Sequence, residues 1–156
     1  MLSKQRQIEA VNARLSSDPE VLWEVSFVNA ERRRLSEFND TQSKVYDTLI
    51  EISRRDELLK ELSLQQLSTM FLLALDSTND PLIWNEDNLG KCFLKTFTFM
   101  KAALDRKFCP HYYMQETNIL AFMNSITLSR LKDKIRHTIR PSCGACSLAV
   151  ILKSND

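Results

Sequence analysis

A Cys-x-x-Cys pair near the end of the chain is the pattern that most directly suggests chemistry. Cys143 and Cys146 have the spacing of half a zinc site, and candidates for the other ligands are His137, Cys109 and His111. The spacing of a second half is undefined, and the strand–helix context of a thioredoxin-like motif is missing. The simpler interpretation is two thiols in a poorly ordered tail, so we expect no metal and no cofactor.

Basic residues form the second candidate site. Arg130, Lys134 and His137 recur at i, i+4 and i+7, which places them on one face of a predicted helix. Further basic residues lie beside them: Lys132, Arg136 and Arg140. A solvated helix face explains this pattern, and the alternative is a patch for nucleic-acid phosphates formed by Arg130, Lys134, His137 and Arg140.

Other catalytic patterns are missing from the sequence. The chain has two glycines, Gly90 and Gly144, so it contains no Gly-rich phosphate loop, and nothing resembles a nucleophile elbow. Acidic pairs have structural explanations: Glu86 and Asp87 suit the start of a helix, where carboxylates are favoured. Glu57 and Glu61 lie one turn apart on a predicted helix, where we expect them to be solvated. We therefore expect that this chain is not an enzyme.

The composition predicts an all-α fold. The chain has 156 residues, 44% of them hydrophobic, with two Gly and four Pro. Such a chain is long enough and apolar enough to form one core, but it has few of the turn-forming residues that β-hairpins need. Its 21 basic and 20 acidic residues give a net charge of +1. The N-terminus has no signal-peptide pattern, and apolar runs fall short of the ~18 residues of a membrane span. We expect a reduced, cytoplasmic protein.

Periodicity and capping residues predict a compact bundle of five to six helices. The predicted segments are 4–15, Ser26 to about Phe38, 41–60, a helix capped by Ser63, a long helix from Asn85 to about Phe108, and a last helix from Thr127 to Arg140. The helix after Ser63 is apolar almost all round and should be the most buried. Residues 112–124 are expected to form an irregular or short helical segment. Gly90 is unexpected, because Ala early in a helix is better by about 1 kcal/mol.

Three segments, in this order, resemble one known family. They are LWEVSFVNAE (Leu22 to Glu31), WNEDNLGKCF (Trp84 to Phe93) and CPHYYMQETNIL (Cys109 to Leu120). Together they are similar to the C-terminal HhH/H2TH-like helical lobe of Mab-twenty-one proteins. That family includes the cyclic GMP-AMP synthase-like receptors and, more distantly, mitochondrial dynamics proteins. The resemblance spans roughly Leu22 to Arg140.

The resemblance assigns structural roles to a set of motif residues: Trp84, Leu89, Gly90, Pro110, His111, Tyr112 and Asn118. It implies that Trp84 anchors the domain and that Gly90 lets a neighbouring backbone pack closely against the helix start. On that interpretation Gly90→Leu would destabilise the fold by overpacking. We expect residues 1–20 to be an N-terminal segment, residues 21–140 the helical domain, and residues 141–156 a poorly ordered tail.

The sequence also departs from what the resemblance implies for the enzymes of the family. Their catalytic lobe, with a Gly-Ser turn and metal-binding carboxylates, has no counterpart here. Ile50, Gln65 and Ser68 align with two lysines and a tyrosine that hold a nucleotide base in those enzymes. No Cys or His near Asn39 provides the zinc insertion of the vertebrate DNA sensor.

These departures favour a non-catalytic interaction module, a truncated or standalone C-terminal lobe. Its expected partner is a protein or the missing N-terminal lobe, and Trp23 and Phe27 suggest an apolar patch prone to self-association. The alternatives are a fragment of a cyclic GMP-AMP synthase-like nucleotidyltransferase that senses nucleic acid, a nucleic-acid-binding helical domain, or a membrane-linked adaptor whose anchor lies elsewhere.

Overall fold

The structure, a computed structural model, describes residues 27–78 and 80–139. These residues belong to two compact units that divide after Glu37. The described part of the first unit is one helix, α1 (Val28–Ser36), which has no side-chain N-cap. Several expectations lie outside the described residues: the helix at 4–15, the proposed cap at Ser26, Trp23, the Cys143–Cys146 pair, Arg140, and the segments 1–20 and 141–156.

The second unit is a helical bundle. Its elements are α2 (Asp40–Arg55), α3 (Leu64–Asp76), α4 (Leu89–Arg106) and α5 (Ser125–Ile139), with short 3₁₀ segments at Leu59–Glu61, Pro81–Ile83 and Glu86–Asn88. Among the described residues there is no β-strand, which confirms the all-α prediction. Within the same residues, no helix is both long enough and apolar enough to cross a membrane.

Side-chain caps fix where α2 and α3 begin. The Ser63 hydroxyl accepts a hydrogen bond from the Gln66 backbone N–H, and the Gln66 side chain accepts one from the Ser63 N–H. Asn39 and Gln42 form the same reciprocal pair at the start of α2. Each capping box satisfies two backbone N–H groups that a helix start otherwise leaves unpaired. The predicted cap at Ser63 is confirmed.

The C-terminal end of α2 comes earlier than predicted. The helix ends at Arg55 rather than near residue 60, because the Asp56 carboxylate accepts hydrogen bonds from the backbone N–H groups of Leu58 and Leu59 at 2.9 and 3.0 Å. This local bonding competes with helix continuation. Glu57 and Glu61 therefore do not share a helix.

The start of α4 also differs from the prediction. Asn85 makes no side-chain cap, and its amide donates to the Leu82 carbonyl oxygen at 2.7 Å. A 3₁₀ turn follows, so the α-helix begins only at Leu89. It ends at Arg106, two residues before the predicted end, because Lys107 adopts a left-handed conformation with φ 53°. A left-handed residue after the last turn is a common helix stop.

The core of the second unit is centred on α3. Eight of its thirteen residues are buried, which confirms that it is the most buried described helix. The Phe71 ring contacts three other aromatic rings at centroid distances of 5.4 to 5.8 Å: Tyr46, Phe38 and Trp84. Trp84 is 4% exposed, and its carbonyl oxygen accepts a hydrogen bond from the Asn39 amide. Trp84 is therefore buried against Phe71, and its role as an anchor of the domain stays a prediction.

The close backbone approach expected at Gly90 is wrong. Gly90 is exposed in the first turn of α4, and a Cβ atom added there would meet no atom within 4 Å. No described neighbour therefore requires a glycine at this position.

Replacing Gly90 with alanine should stabilise the protein by up to about 1 kcal/mol, because alanine loses less backbone entropy on helix formation. Urea denaturation of Gly90→Ala and of the wild type would measure this difference. Gly90→Leu serves as the second variant and should lie within about 0.5 kcal/mol of the wild type, since the site is open. A clear loss of stability in both variants would contradict the open geometry.

Candidate functional site

The link between α4 and α5 has no regular structure, and the Asn118 side chain makes three of the hydrogen bonds that hold it. The Asn118 Oδ1 atom accepts hydrogen bonds from the backbone N–H groups of Cys109 at 3.0 Å and Leu120 at 3.1 Å. Its Nδ2 group donates to the Lys107 carbonyl oxygen at 3.0 Å. Asn118 thereby joins the end of α4 to the far side of the link, beside the bridge that Pro110 and Asn118 form through their backbones.

His111 organises the tip of the same link. The ring is 5% exposed, and its Nδ1 atom accepts hydrogen bonds from the backbone N–H groups of Tyr113 at 3.1 Å and Met114 at 3.3 Å. The Gln65 side-chain amide lies 3.2 Å from Nε2. Burial lowers the pKa of His111, because the charged imidazolium is poorly solvated there. Burial therefore favours the neutral ring, whose Nδ1 atom accepts the two backbone N–H groups.

Polar side chains on α3 attach the link to the core. The Tyr112 hydroxyl donates to the Asp76 carboxylate at 2.7 Å, and the Gln66 amide donates to the Ile119 carbonyl oxygen at 2.9 Å. Gln66 also closes the capping box of α3, so one side chain serves the helix start and the link together. The predicted motif residues Pro110, His111, Tyr112 and Asn118 thus lie together, whereas Trp84 and Leu89 belong to the other end of α4.

The fixed link presents exposed apolar side chains. Phe122 is fully exposed at 102%, and Ile126, in the first turn of α5, is 72% exposed. Between these two residues in the chain, the Asn124 carboxamide oxygen accepts a hydrogen bond from the Thr127 N–H at 2.8 Å and thereby caps the start of α5. Arg130 follows Ile126 by one helical turn and is also exposed. We call Phe122, Ile126 and Arg130 the Phe122 surface.

The predicted basic face of α5 is partly neutralised by ion pairs. Lys134 bonds Asp56 at 2.6 Å, and two adjacent bases are paired as well, Lys132 with Asp105 at 3.7 Å and Arg136 with Asp133 at 3.0 Å. Arg130 makes no ion pair with any described residue. The structure therefore places Arg130, Lys134 and His137 on one exposed face but leaves less free positive charge there than the sequence pattern suggests.

A cleft of about 320 Å³ lies beside the paired Lys134, between α5 and the end of α2. Its lining is formed by Ile52, Asp56, Leu59, Phe97, Lys134, His137 and Thr138. Burial raises the pKa of Asp56, but hydrogen bonds from Lys134 and from the backbone N–H groups of Leu59 and Leu58 outweigh burial and lower it overall. The charged Asp56 therefore acts as a structural cap and ion-pair partner.

Two of the metal ligands suggested by the sequence, Cys109 and His111, lie in surroundings that do not favour metal binding. Cys109 is buried, and burial raises the pKa of its thiol to about 11, so the thiol is neutral near pH 7. Both ring nitrogens of His111 already have partners. Among residues 27–78 and 80–139, no group of three or more His, Cys, Asp or Glu side chains could hold a metal ion.

The positions aligned with nucleotide-holding residues have structural roles. Ile50 is 9% exposed in the core, and Ser68 is 4% exposed and lies 2.7 Å from the Tyr46 hydroxyl. Gln65 is exposed but contacts His111. Neither buried side chain offers an exposed group for a nucleotide.

Sequence reasoning did not single out Phe122 and Ile126. An apolar residue in an irregular segment gives no periodic signal, so its exposure depends on how the link is held. The one available clue was the sequence Phe122-Met123-Asn124, in which an aromatic residue lies two positions before a strong helix-capping residue.

The helices and the link between α4 and α5 define an all-α domain. Residues 41–137 match the family model described as the Mab-21 protein HhH/H2TH-like domain. Because this match covers more than half of the chain, the chain belongs to the Mab-21 family. The family expected from the three sequence segments is confirmed.

A relative in this family is Protein mab-21-like 3 from Xenopus laevis. It is 26% identical to this chain over 136 residues, which cover 78% of this chain and 34% of the Xenopus laevis protein. The chain therefore spans about one third of the length of this relative.

Removing the Asn118 amide should destabilise the bundle. Asn118→Ala leaves two backbone N–H groups and one carbonyl without their partner, so we expect a loss of about 2 to 4 kcal/mol in urea denaturation. Asn118→Asp keeps the accepting oxygen and should lose only about 1 kcal/mol. Equal losses in the two variants would contradict the role given to Oδ1.

Stability should decrease as the pH falls below about 6.5, because the unfolded chain then binds a proton that the folded His111 resists. The contribution of neutral His111 is present above the unfolded pKa and is lost as the pH falls through the lower folded pKa. Melting temperatures between about pH 7.5 and 5.5 would measure this decrease.

Two variants assign the pH effect, since the chain has two histidines. His137→Gln, at the exposed histidine, should keep the wild-type pH dependence. His111→Asn keeps an acceptor for the Tyr113 N–H but cannot titrate, and it should flatten the dependence. An unchanged dependence in His111→Asn would contradict this assignment.

Proposed function

We propose that this chain is a non-catalytic helical interaction module of the cytoplasm that binds a protein partner through the Phe122 surface. The observation that carries the proposal is the full exposure of Phe122, which closely follows Ile119 and Leu120, whose backbone groups are hydrogen-bonded by Gln66 and Asn118. Ile126, four residues further along the chain, is also exposed, and a combination of exposed apolar side chains, rather than a single one, marks a binding surface.

The composition of the Phe122 surface suits protein binding. Aromatic and arginine side chains dominate the energetics of protein interfaces, and Phe122, Ile126 and Arg130 combine both types with an aliphatic side chain. Because the link is already ordered, a partner would not have to order it on binding, which lowers the entropic cost of association.

The missing part of a Mab-21 protein is one protein partner that this surface would fit. The chain corresponds to about one third of the Xenopus laevis relative, so most of that protein lies outside the matched region. In the alternative reading, a longer product is a nucleotidyltransferase and this chain is its helical lobe. The buried positions of Ile50 and Ser68 support a binding role over a nucleotide-holding one.

Nucleic-acid binding is the second candidate. Residues 89–139 contain nine basic and three acidic residues, a net charge of +6, which favours binding to phosphates. The ion pairs of Lys132, Lys134 and Arg136 compete with such contacts, and for this reason protein binding is the preferred proposal.

Site-specific photocrosslinking tests the proposal. Phe122 is replaced by a photoreactive phenylalanine analogue in the full chain, with the exposed Thr98 of α4 as the control position. We expect a light-dependent, protease-sensitive adduct from position 122 and none from position 98. Ile126→Asp should weaken the adduct strongly, since loss of an interface anchor costs about 2 kcal/mol, or about 30-fold in affinity.

The same experiment separates the two candidates. An adduct at position 122 whose added mass is removed by nuclease would favour nucleic-acid binding. The absence of any adduct at position 122, or equal adducts at positions 122 and 98, would contradict a specific role for the Phe122 surface.

A further inference from the structure

The charges of the second unit are unevenly divided along the chain. Residues 38–88 contain ten acidic and four basic residues, a net charge of −6, whereas residues 89–139 have a net charge of +6. The acidic span forms α2 and α3, and the basic span forms α4 and α5. Because the two spans carry opposite net charges of equal size, the acidic span of one molecule is electrostatically complementary to the basic span of a second molecule.

The acidic span presents its own exposed apolar anchor. Leu82 is 78% exposed in the turn before α4. Its N–H donates to the Asp80 carboxylate at 3.0 Å, and its carbonyl oxygen accepts from the Asn85 amide at 2.7 Å, so its position is fixed. Glu86 pairs with Lys44, whereas Asp80 and Asp87 make no ion pair with a described residue. We call Asp80, Leu82, Glu86 and Asp87 the Leu82 surface.

The Leu82 surface and the Phe122 surface lie at opposite ends of α4. The Leu82 surface directly precedes Leu89, the first residue of the helix. Asp105, near the other end of α4, pairs with Lys132 of α5. Phe97, earlier in α4, lines the same cleft as His137, which is later in α5. The two helices therefore run antiparallel. Ile126 is then about 9 Å beyond Lys132, past the end of α4, and the 18 residues of α4 span about 27 Å.

The Phe122 surface has basic surroundings that match the acidic Leu82 surface. Arg106 and Lys107 end α4 and are exposed, and Asn118 ties Lys107 to the link that carries Phe122. The acidic residue of this link, Glu116, is also exposed, but the nearby basic residues outnumber it. Pairing two Phe122 surfaces would bring like charges together, whereas pairing Phe122 with Leu82 joins unlike charges and two apolar anchors.

We propose that the occupant of the Phe122 surface is a second copy of this chain, which binds through its Leu82 surface. This inference rests on the proposed function and names the partner of the same surface. Each copy offers one surface of each kind, so the contact is heterologous and joins molecules head to tail. Because both surfaces carry charge, association should weaken as salt increases.

Analytical ultracentrifugation of the full chain tests this inference. The wild type should associate at about 50 mM NaCl and dissociate at about 500 mM, with at least about a tenfold fall in the association constant. Two variants each remove one surface: Leu82→Ser, and the double variant Phe122→Ser with Ile126→Ser. Leu94→Ser, at a 44% exposed leucine on α4, is the matched control and should associate like the wild type.

A mixing experiment gives the sharpest result. Each variant alone should be monomeric, but an equimolar mixture of Leu82→Ser with the Phe122/Ile126 double variant should form a 1:1 dimer and stop there. In that mixture one molecule keeps an intact Phe122 surface and the other an intact Leu82 surface. Unchanged melting temperatures would show that the substitutions leave the fold intact.

Three results would overturn the inference. They are a wild type that is monomeric at low salt, a Leu82→Ser variant that associates like the wild type, and a mixture that stays monomeric. In the second case, loss of association in the double variant alone would still leave the Phe122 surface as a binding site with a different partner. The failure of the inference is thereby distinguished from the failure of the proposed function.

Discussion

Several side chains complete the hydrogen bonds of the backbone between α4 and α5, and Asn118 makes the largest number of them. A chain segment without helix or strand leaves its N–H and C=O groups unpaired, and burying them in that state is costly. Asn118 pairs with Lys107, Cys109 and Leu120 at once, because a carboxamide both donates and accepts. The direction in which α5 leaves the link, and the exposure of Phe122 before it, follow from this arrangement.

Helix α3 provides the base to which the link is attached. Its apolar side packs Phe71 among the aromatic rings of the core, and its polar residues Gln66 and Asp76 bond the link. One helix therefore supplies both the buried core and the hydrogen bonds that fix the exposed segment. A surface built in this way is rigid without being buried, which is the property that an interface needs when it binds without folding.

Ion pairs determine which basic side chains of α5 remain free to contact another molecule. Lys134 compensates Asp56, a carboxylate that the turn after α2 needs in its charged form, and Lys132 pairs with Asp105 of α4. These bases stabilise packing in the bundle, whereas Arg130, one helical turn after Ile126, makes no ion pair with a described residue. For a C-terminal domain of the Mab-21 family, this combination favours a mixed apolar and basic contact over a purely electrostatic one.

The sequence by itself determined the fold class, the family, the capping of α3 at Ser63 and the burial of α3, because composition, periodicity and capping are local signals. It also indicated that Pro110, His111, Tyr112 and Asn118 belong to one motif. It did not determine the early end of α2, the late start of α4 or the open space around Gly90. Only the tertiary structure decided these features and the exposure of Phe122. Each of them depends on which groups lie close to a given backbone atom or side chain in the folded protein, and no pattern along the chain encodes the distances between such groups.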